Sequence, residues 1–118
     1  MRVVFDFCDT LHKEPDTPAT KRMRELYLSL AKTGAELYVA TATKAPESGW
    51  ARVKRRRIEM LVELGLPAPI DLAVCGADGK REIFERWKPD LVIDDSKTVV
   101  NLAVSMGIPA LRLNWTDS

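Results

Sequence analysis

Apolar positions along the chain alternate between two periods. Residues 2–7 form a short β-branched and aromatic run that meets an acid at Asp6, as a buried strand does. Residues 11–18 are polar and carry Pro15 and Pro18. Thr17 before Pro18 predicts a helix start, with Thr as N-cap and proline at the first helical position. Met23, Leu26, Tyr27, Leu30 and Ala31 then recur at helical spacing, and Gly34 stops the helix.

Strand and helix signals go on alternating. Residues 35–40 predict a second buried strand, and residues 41–48 a loop holding Thr41, Thr43, Lys44 and Pro46. A long helix over 49–63 ends at Gly65 and Pro67. Residues 72–75 predict a third strand, then a turn at Gly76, Asp78 and Gly79, then a short helix over 80–87. A fourth strand over 91–93 runs into Asp94 and Asp95. A helix over 98–106 closes at Gly107, and 110–113 is the last strand. The order βαβαβαβαβ implies a parallel sheet covered on both faces. The expected class is α/β, a three-layer Rossmann-like domain with a five-stranded parallel sheet. No connection has room for a second domain, so residues 1–118 are expected to form one domain.

Composition narrows the function classes. The 118 residues are 46% hydrophobic and 30% charged, an ordinary globular balance that can bury a core without disulfides. Eighteen Lys+Arg against 17 Asp+Glu give a net charge of +1. That argues against a strongly basic nucleic-acid scaffold and leaves a local patch open. No apolar run approaches the ~18–20 residues of a membrane helix, and Asp6 interrupts any signal-peptide core. Cys8 and Cys75 make no CxxC pair, and His12 is the single histidine, so a His/Cys zinc site is disfavoured. A reduced cytoplasmic protein with no membrane partner is expected.

Ligands of such sheets gather at the carboxyl ends of the strands. The first strand delivers Asp6, Cys8, Asp9 and Thr10 there, the second Thr41, Thr43 and Lys44, and the fourth Asp94 and Asp95. Lys80 opens the helix before that fourth strand. Carboxylates held together repel unless a cation joins them. Hard oxygen ligands suit Mg²⁺, which keeps several waters and completes its shell with a phosphate. A carboxylate so placed can attack phosphorus to form an acyl phosphate. A hydroxyl and an ammonium can hold the remaining phosphoryl oxygens.

These residues carry a family pattern. Val-Val-Phe-Asp6-Phe-Cys8-Asp9-Thr10-Leu resembles the first motif of the haloacid dehalogenase-like (HAD) hydrolases. Leu37-Tyr-Val-Ala-Thr41 resembles the second, Lys80 fits the third, and Leu91-Val-Ile-Asp94-Asp95-Ser96 fits the fourth. The four occur in the family's order over nearly the whole chain. The stretch from Asp78-Gly-Lys80 through Asp94-Asp95 to Val99-Val100 is also similar, more loosely, to the phosphatase domain of phage polynucleotide kinase-phosphatases.

The resemblance implies a HAD-like fold and a role for each matched position. Asp6 is the nucleophile and a Mg²⁺ ligand, with the backbone carbonyl of Cys8 a second ligand. Thr41 binds the phosphoryl group, with Thr43 a competitor, and Lys80 stabilises the charged intermediate. Asp95 aligns best with the metal-binding acid, and Asp94 is its close alternative. Residues 11–18 are too few for a cap, and 44–70 hold one helix and its loops. An open, capless site admits a phosphate on a large molecule, and a nucleotide or nucleic-acid end is the favoured substrate.

One position departs from the family. Its phosphatases place a second Asp two residues after the nucleophile, as general acid and base. Here that position is Cys8, and the acid comes one residue later as Asp9. In an extended segment that shift turns the side chain to the other side. A thiol is also a poorer proton donor than a carboxylic acid of raised pKa. Two classes therefore stay open: a Mg²⁺-dependent phosphomonoester hydrolase using Asp6, Asp9, Thr41 and Lys80, and a non-catalytic HAD-fold binding or regulatory protein.

The basic run from Arg52 to Arg57 reads first as a solvated helix face. Arg52, Arg55, Arg56, Glu59 and Glu63 share one side, with Arg55 placed to pair with Glu59. Lys54 and Arg57 project toward the apolar arc near the helix start. They either snorkel or, with Thr10, Thr43 and Lys44, contact a polyanionic substrate. Trp50, Trp87 and Trp115 are expected to pack, and His12 to sit in a loop.

Overall fold

The computed structural model describes residues 1–44, 49–76 and 78–114. The loop residue Pro46 and Trp115 lie outside them. The strands are β1 (Arg2–Asp6), β2 (Glu36–Ala42), β3 (Asp71–Cys75), β4 (Leu91–Asp94) and β5 (Ala110–Arg112). The helices are α1 (Pro18–Lys32), α2 (Trp50–Glu63), α3 (Lys80–Trp87) and α4 (Lys97–Ser105). All strand pairs are parallel, in the order β3-β2-β1-β4-β5. The chain is an α/β protein with a five-stranded parallel sheet and four helices, as the alternating pattern predicts. None of these helices is long and apolar enough to cross a membrane.

Local chemistry sets the helix starts. The Thr17 hydroxyl accepts from the Thr20 amide at 3.1 Å, and Pro18 follows it. α4 begins at Lys97, capped by Ser96, whose hydroxyl accepts from the Val99 amide. Asp94 and Asp95 are therefore free of the capping role. This matters for what they do next.

Strand alternation divides the core in two. Val3, Phe5, Phe7, Leu37, Val39, Leu72 and Ile93 pack with Tyr27 of α1 and Leu61 of α2. Val4, Ala40 and Val92 pack with Ile83, Phe84 and Trp87 of α3 and Ala103 of α4. Asp6 and Asp94 lie two residues beyond Val4 and Val92. With a period of two they face the α3 and α4 side.

Among the tryptophans, Trp87 is buried with its ring 4.8 Å from that of Tyr38. Trp50 departs from the packing expectation. It is the first residue of α2 and is 41% exposed. A helix-start residue lies past the end of the sheet and has little to pack on.

Candidate active site

β1 is the middle strand and β4 its neighbour, so their carboxyl ends flank the point where the strand order reverses. Asp6 and Asp94 end these two strands and are 6% and 2% exposed. The Lys80 ammonium lies between them, donating to Asp6 Oδ1 and to Asp94 Oδ2 at 2.7 Å each. Lys80 is buried, unlike a lysine that lies in solvent on the first turn of a helix. Its place depends on Gly79. A Cβ there would sit 2.6 Å from Cys75 Cβ, so only glycine lets α3 start this close to the end of β3.

The remaining oxygens are also engaged. Thr10 is fully buried and its hydroxyl donates to Asp6 Oδ2 at 3.4 Å. The Ser96 amide donates to Asp94 Oδ1 at 2.9 Å. Asp95 is half-buried, and oxygens of Asp6, Asp94 and Asp95 all lie within 4.8 Å of one another. These three carboxyl groups could together hold a metal ion.

The electrostatics follow from burial. Burial pushes the Asp6 carboxyl well above the ordinary carboxylate range; Lys80 opposes this and Asp94 adds to it. Burial also raises Asp95, with Asp6 opposing and Asp94 adding. For Lys80, burial disfavours the charged form, yet Asp6 and Asp94 outweigh it and the net shift is upward. One ammonium thus bridges Asp6 and Asp94, and burial makes Asp6 and Asp95 hold their protons more tightly than they would in water.

The chain after β1 corrects one expectation. Residues 7–12 are not extended. The Phe7 carbonyl accepts from the amides of Thr10, Leu11 and His12, and the Asp9 amide donates to the His12 carbonyl at 2.7 Å. Asp9 takes φ +63°, a left-handed conformation that Asp tolerates better than most residues. Side-chain alternation therefore does not apply to Cys8 and Asp9. Asp9 is half-exposed, 3.8 Å from Lys13, and its charge still raises the Asp95 carboxyl. It stands at the mouth of the acid cluster. No hydrogen bond among the described residues uses the Cys8 carbonyl.

The other predicted positions are dispersed. Thr41 is fully buried, its hydroxyl 3.8 Å from the Cys8 thiol. Thr43 is half-buried, its amide donating to the Cys75 carbonyl, and Lys44 is exposed. Lys54 is paired with Asp71 at 3.3 Å. Asp71 is the first residue of β3, so Lys54 points away from the strand ends where the acids sit. Arg57 lies over the Phe7 ring, 5.2 Å from its centroid, beside the nucleophile candidate's neighbour in sequence. The expected Arg55–Glu59 pair is replaced: Arg56 takes both Glu59, at 3.4 Å, and Glu63, at 3.0 Å. His12 stacks on Phe7 within the turn.

Sequence reasoning missed Cys75. It is a free thiol at the end of β3, raised by burial, with Lys80 opposing and Asp6 adding. Its position one strand from β1 was the available signal.

No protein-family profile matches the chain, and no curated protein matches it. Solved structures share its fold. A chain of a Pnkp1/Rnl/Hen1 complex superposes with a TM-score of 0.71 at 14% identity, covering 99% of this chain and 47% of that one. A universal stress protein in complex with cAMP superposes with a TM-score of 0.57 at 19% identity, covering 98% and 97%. This chain spans about half the length of the first of these neighbours. At such identities the likeness is one of architecture, a Rossmann-like α/β fold.

Proposed function

We propose that the protein is a Mg²⁺-dependent phosphomonoester hydrolase that works through an aspartyl-phosphate on Asp6. The observation that carries this reading is the buried Lys80 ammonium bridging Asp6 and Asp94, with Asp95 alongside. A buried ammonium between two strand-end carboxylates is costly unless the set serves a charged ligand. The first, third and fourth motifs of the HAD resemblance supply Asp6, Lys80 and the Asp94-Asp95 pair, and the Rossmann-like fold agrees with it.

The donor set suits magnesium. Asp6, Asp94 and Asp95 offer hard oxygens within 4.8 Å of one another, and the Cys8 carbonyl, as the resemblance implies, would add a neutral one. When bound, Mg²⁺ supplies positive charge that keeps these carboxylates ionised and polarises a phosphoryl oxygen.

The chain's own groups do the rest. An Asp6 oxygen attacks phosphorus, and the bond to the leaving oxygen breaks with its electron pair on that oxygen. The proton it needs comes from Asp9 or from solvent, since Cys8 is a poor donor. Lys80 and a hydroxyl, Thr41 or Thr43, hold the phosphoryl oxygens as charge redistributes. Water then attacks the acyl phosphate, which releases phosphate and restores Asp6. Ionised Asp6 is the reactive form, so Lys80 and the cation act against the effect of burial on this carboxyl.

The connections after β1 and β2 are residues 7–17 and 43–49. Neither connection is long enough to hold a cap domain. This favours a phosphate on a nucleotide or at a nucleic-acid end over a small buried ester.

The test is hydrolysis of p-nitrophenyl phosphate and of a 5′-phosphorylated oligonucleotide, with and without Mg²⁺, beside Asp6→Asn. The expected result is Mg²⁺-dependent turnover that disappears in the variant. Turnover that persists in folded Asp6→Asn rejects Asp6 as the nucleophile. A parent protein inert on both substrates favours the binding or regulatory reading, with Cys8 as its cause.

A further inference from the structure

A cleft of about 480 Å³ opens on the α2 side of the sheet. It is lined by Thr43 and, from the first turns of α2, by Arg52, Arg55, Arg56, Arg57 and Glu59. Thr43 ties it to the carboxyl edge of the sheet, two residues past Thr41. Arg57 ties it to the chain just after β1, since its guanidinium covers the ring of Phe7, the residue that follows Asp6 in sequence and packs on the α1 and α2 side.

Of the four arginines here, only Arg56 is neutralised by a carboxylate among the described residues. Arg2, Arg22, Arg24, Arg56 and Arg81 each face a carboxylate. Arg52, Arg55 and Arg57 have none among the described residues. Arg57 donates only to the Met60 sulfur, at 3.7 Å, and its Nε is buried with no hydrogen-bond partner. A buried N–H without an acceptor is a group awaiting one. Arg52 and Arg55 stand three residues apart on one face, where like charges repel. α2 also has no acid in its first turn and no side-chain cap at Gly49, so neither offsets its positive end. Guanidinium groups in a wet cleft recognise phosphate through paired N–H donors.

We propose that this cleft is a second phosphate subsite, which selects substrates whose terminal phosphomonoester is accompanied by another phosphate. The proposal rests on the hydrolase reading for the place of the first phosphate and on the arginine geometry for the second. Two sources carry this chemistry: a nucleic-acid end, with its neighbouring phosphodiester, and a small bisphosphate.

The test is binding, which separates it from turnover. Thymidine 5′-monophosphate, thymidine 3′,5′-bisphosphate and a 5′-phosphorylated oligothymidylate are titrated calorimetrically into Asp6→Asn with Mg²⁺ present. The same titrations are run with Arg52→Gln and Arg55→Gln added, after circular dichroism shows the fold retained. Both arginines are exposed, so the added changes leave the core intact. The bisphosphate is expected to bind about tenfold more tightly than the monophosphate, a gain that added salt weakens. The double substitution is expected to close that gap to within about threefold. A matching gain with the oligonucleotide assigns the subsite to nucleic-acid ends; a gain with the bisphosphate alone assigns it to small substrates. Equal or undetectable binding of mono- and bisphosphate overturns the proposal, as does a gap that survives the double substitution. A gap that depends on the arginines in a protein without Asp6-dependent turnover keeps the subsite and rejects the hydrolase.

Discussion

The acid cluster and the arginine cleft share one edge of the sheet but treat charge in opposite ways. At the cluster, Asp6, Asp94 and Lys80 are buried and bonded to one another across three elements. At the cleft, Arg52 and Arg55 are exposed and follow one another on a single helix. Removing a member of the first set leaves a buried charge without its partner; removing one of the second leaves only solvent. The first region therefore ties fold stability to the charges of the candidate site. The second is free to vary with the ligand.

The largest effect that tests this contrast is expected from Lys80→Met. Losing the ammonium leaves its two carboxyl partners facing each other, at an expected cost of about 3–5 kcal/mol in urea unfolding at neutral pH. A loss below about 1 kcal/mol would mean that Lys80 is not the counter-ion the geometry makes it.

Next comes Cys8→Asp, which restores a carboxyl two residues after the nucleophile. General acid–base help is worth about 10²–10⁴-fold, so phosphatase turnover is expected to rise by at least about tenfold. Equal or lower turnover in a folded variant would move the proton-donor role to Asp9 at the mouth of the cluster.

The pH dependence of the metal-free protein is the third test. Asp6 binds its proton more tightly in the folded state than in the unfolded one. The folded state is therefore favoured most below the ordinary carboxylate range. That advantage is lost as pH rises through the raised folded value, by at most ~1.4 kcal/mol per pH unit. Lys80 acts in the same direction at alkaline pH: its contribution holds below its ordinary value of 10.5 and fades above it. Thermal melts between pH 4 and pH 8 should show a falling midpoint that Mg²⁺ flattens. A midpoint that climbs across this range would show Asp6 already ionised in the fold.

The smallest effect is expected at the cleft. Arg55→Gln should change stability by no more than about 0.5 kcal/mol, with relief of repulsion from Arg52 in its favour. A larger loss in urea unfolding would show that the cleft, too, holds the fold together.

The same contrast explains what the sequence made legible. Strand ends bearing Asp6 and Asp94, and a lysine opening the next helix, are local signals, and parallel topology brings such ends to one edge. Thr17 and Gly34 mark helix ends through backbone chemistry that needs no tertiary partner. The turn after Phe7 was hidden because its left-handed residue is Asp9 rather than glycine. The choice of Arg56 over Arg55 by Glu59 was hidden as well, since i+3 and i+4 partners lie at nearly equal reach on a helix. The reach of Lys54 to Asp71 depends on where β3 begins beside α2, which no helical wheel contains. The burial of Lys80 required the Gly79 backbone, at the start of α3, to come close against the Cys75 side chain at the end of β3, an approach between two elements.

β1 is hydrogen-bonded on both sides, to β2 and to β4, while β3 and β5 each have one neighbour and β5 is three residues long. Sheets of this kind open from their margins, because a marginal strand breaks one ladder where a central strand must break two. The amides around Asp6 should thus be among the last to exchange with solvent. On the proposed reading, fluctuations at the rim would admit and release a bulky phosphate ester while the attacking oxygen stays fixed.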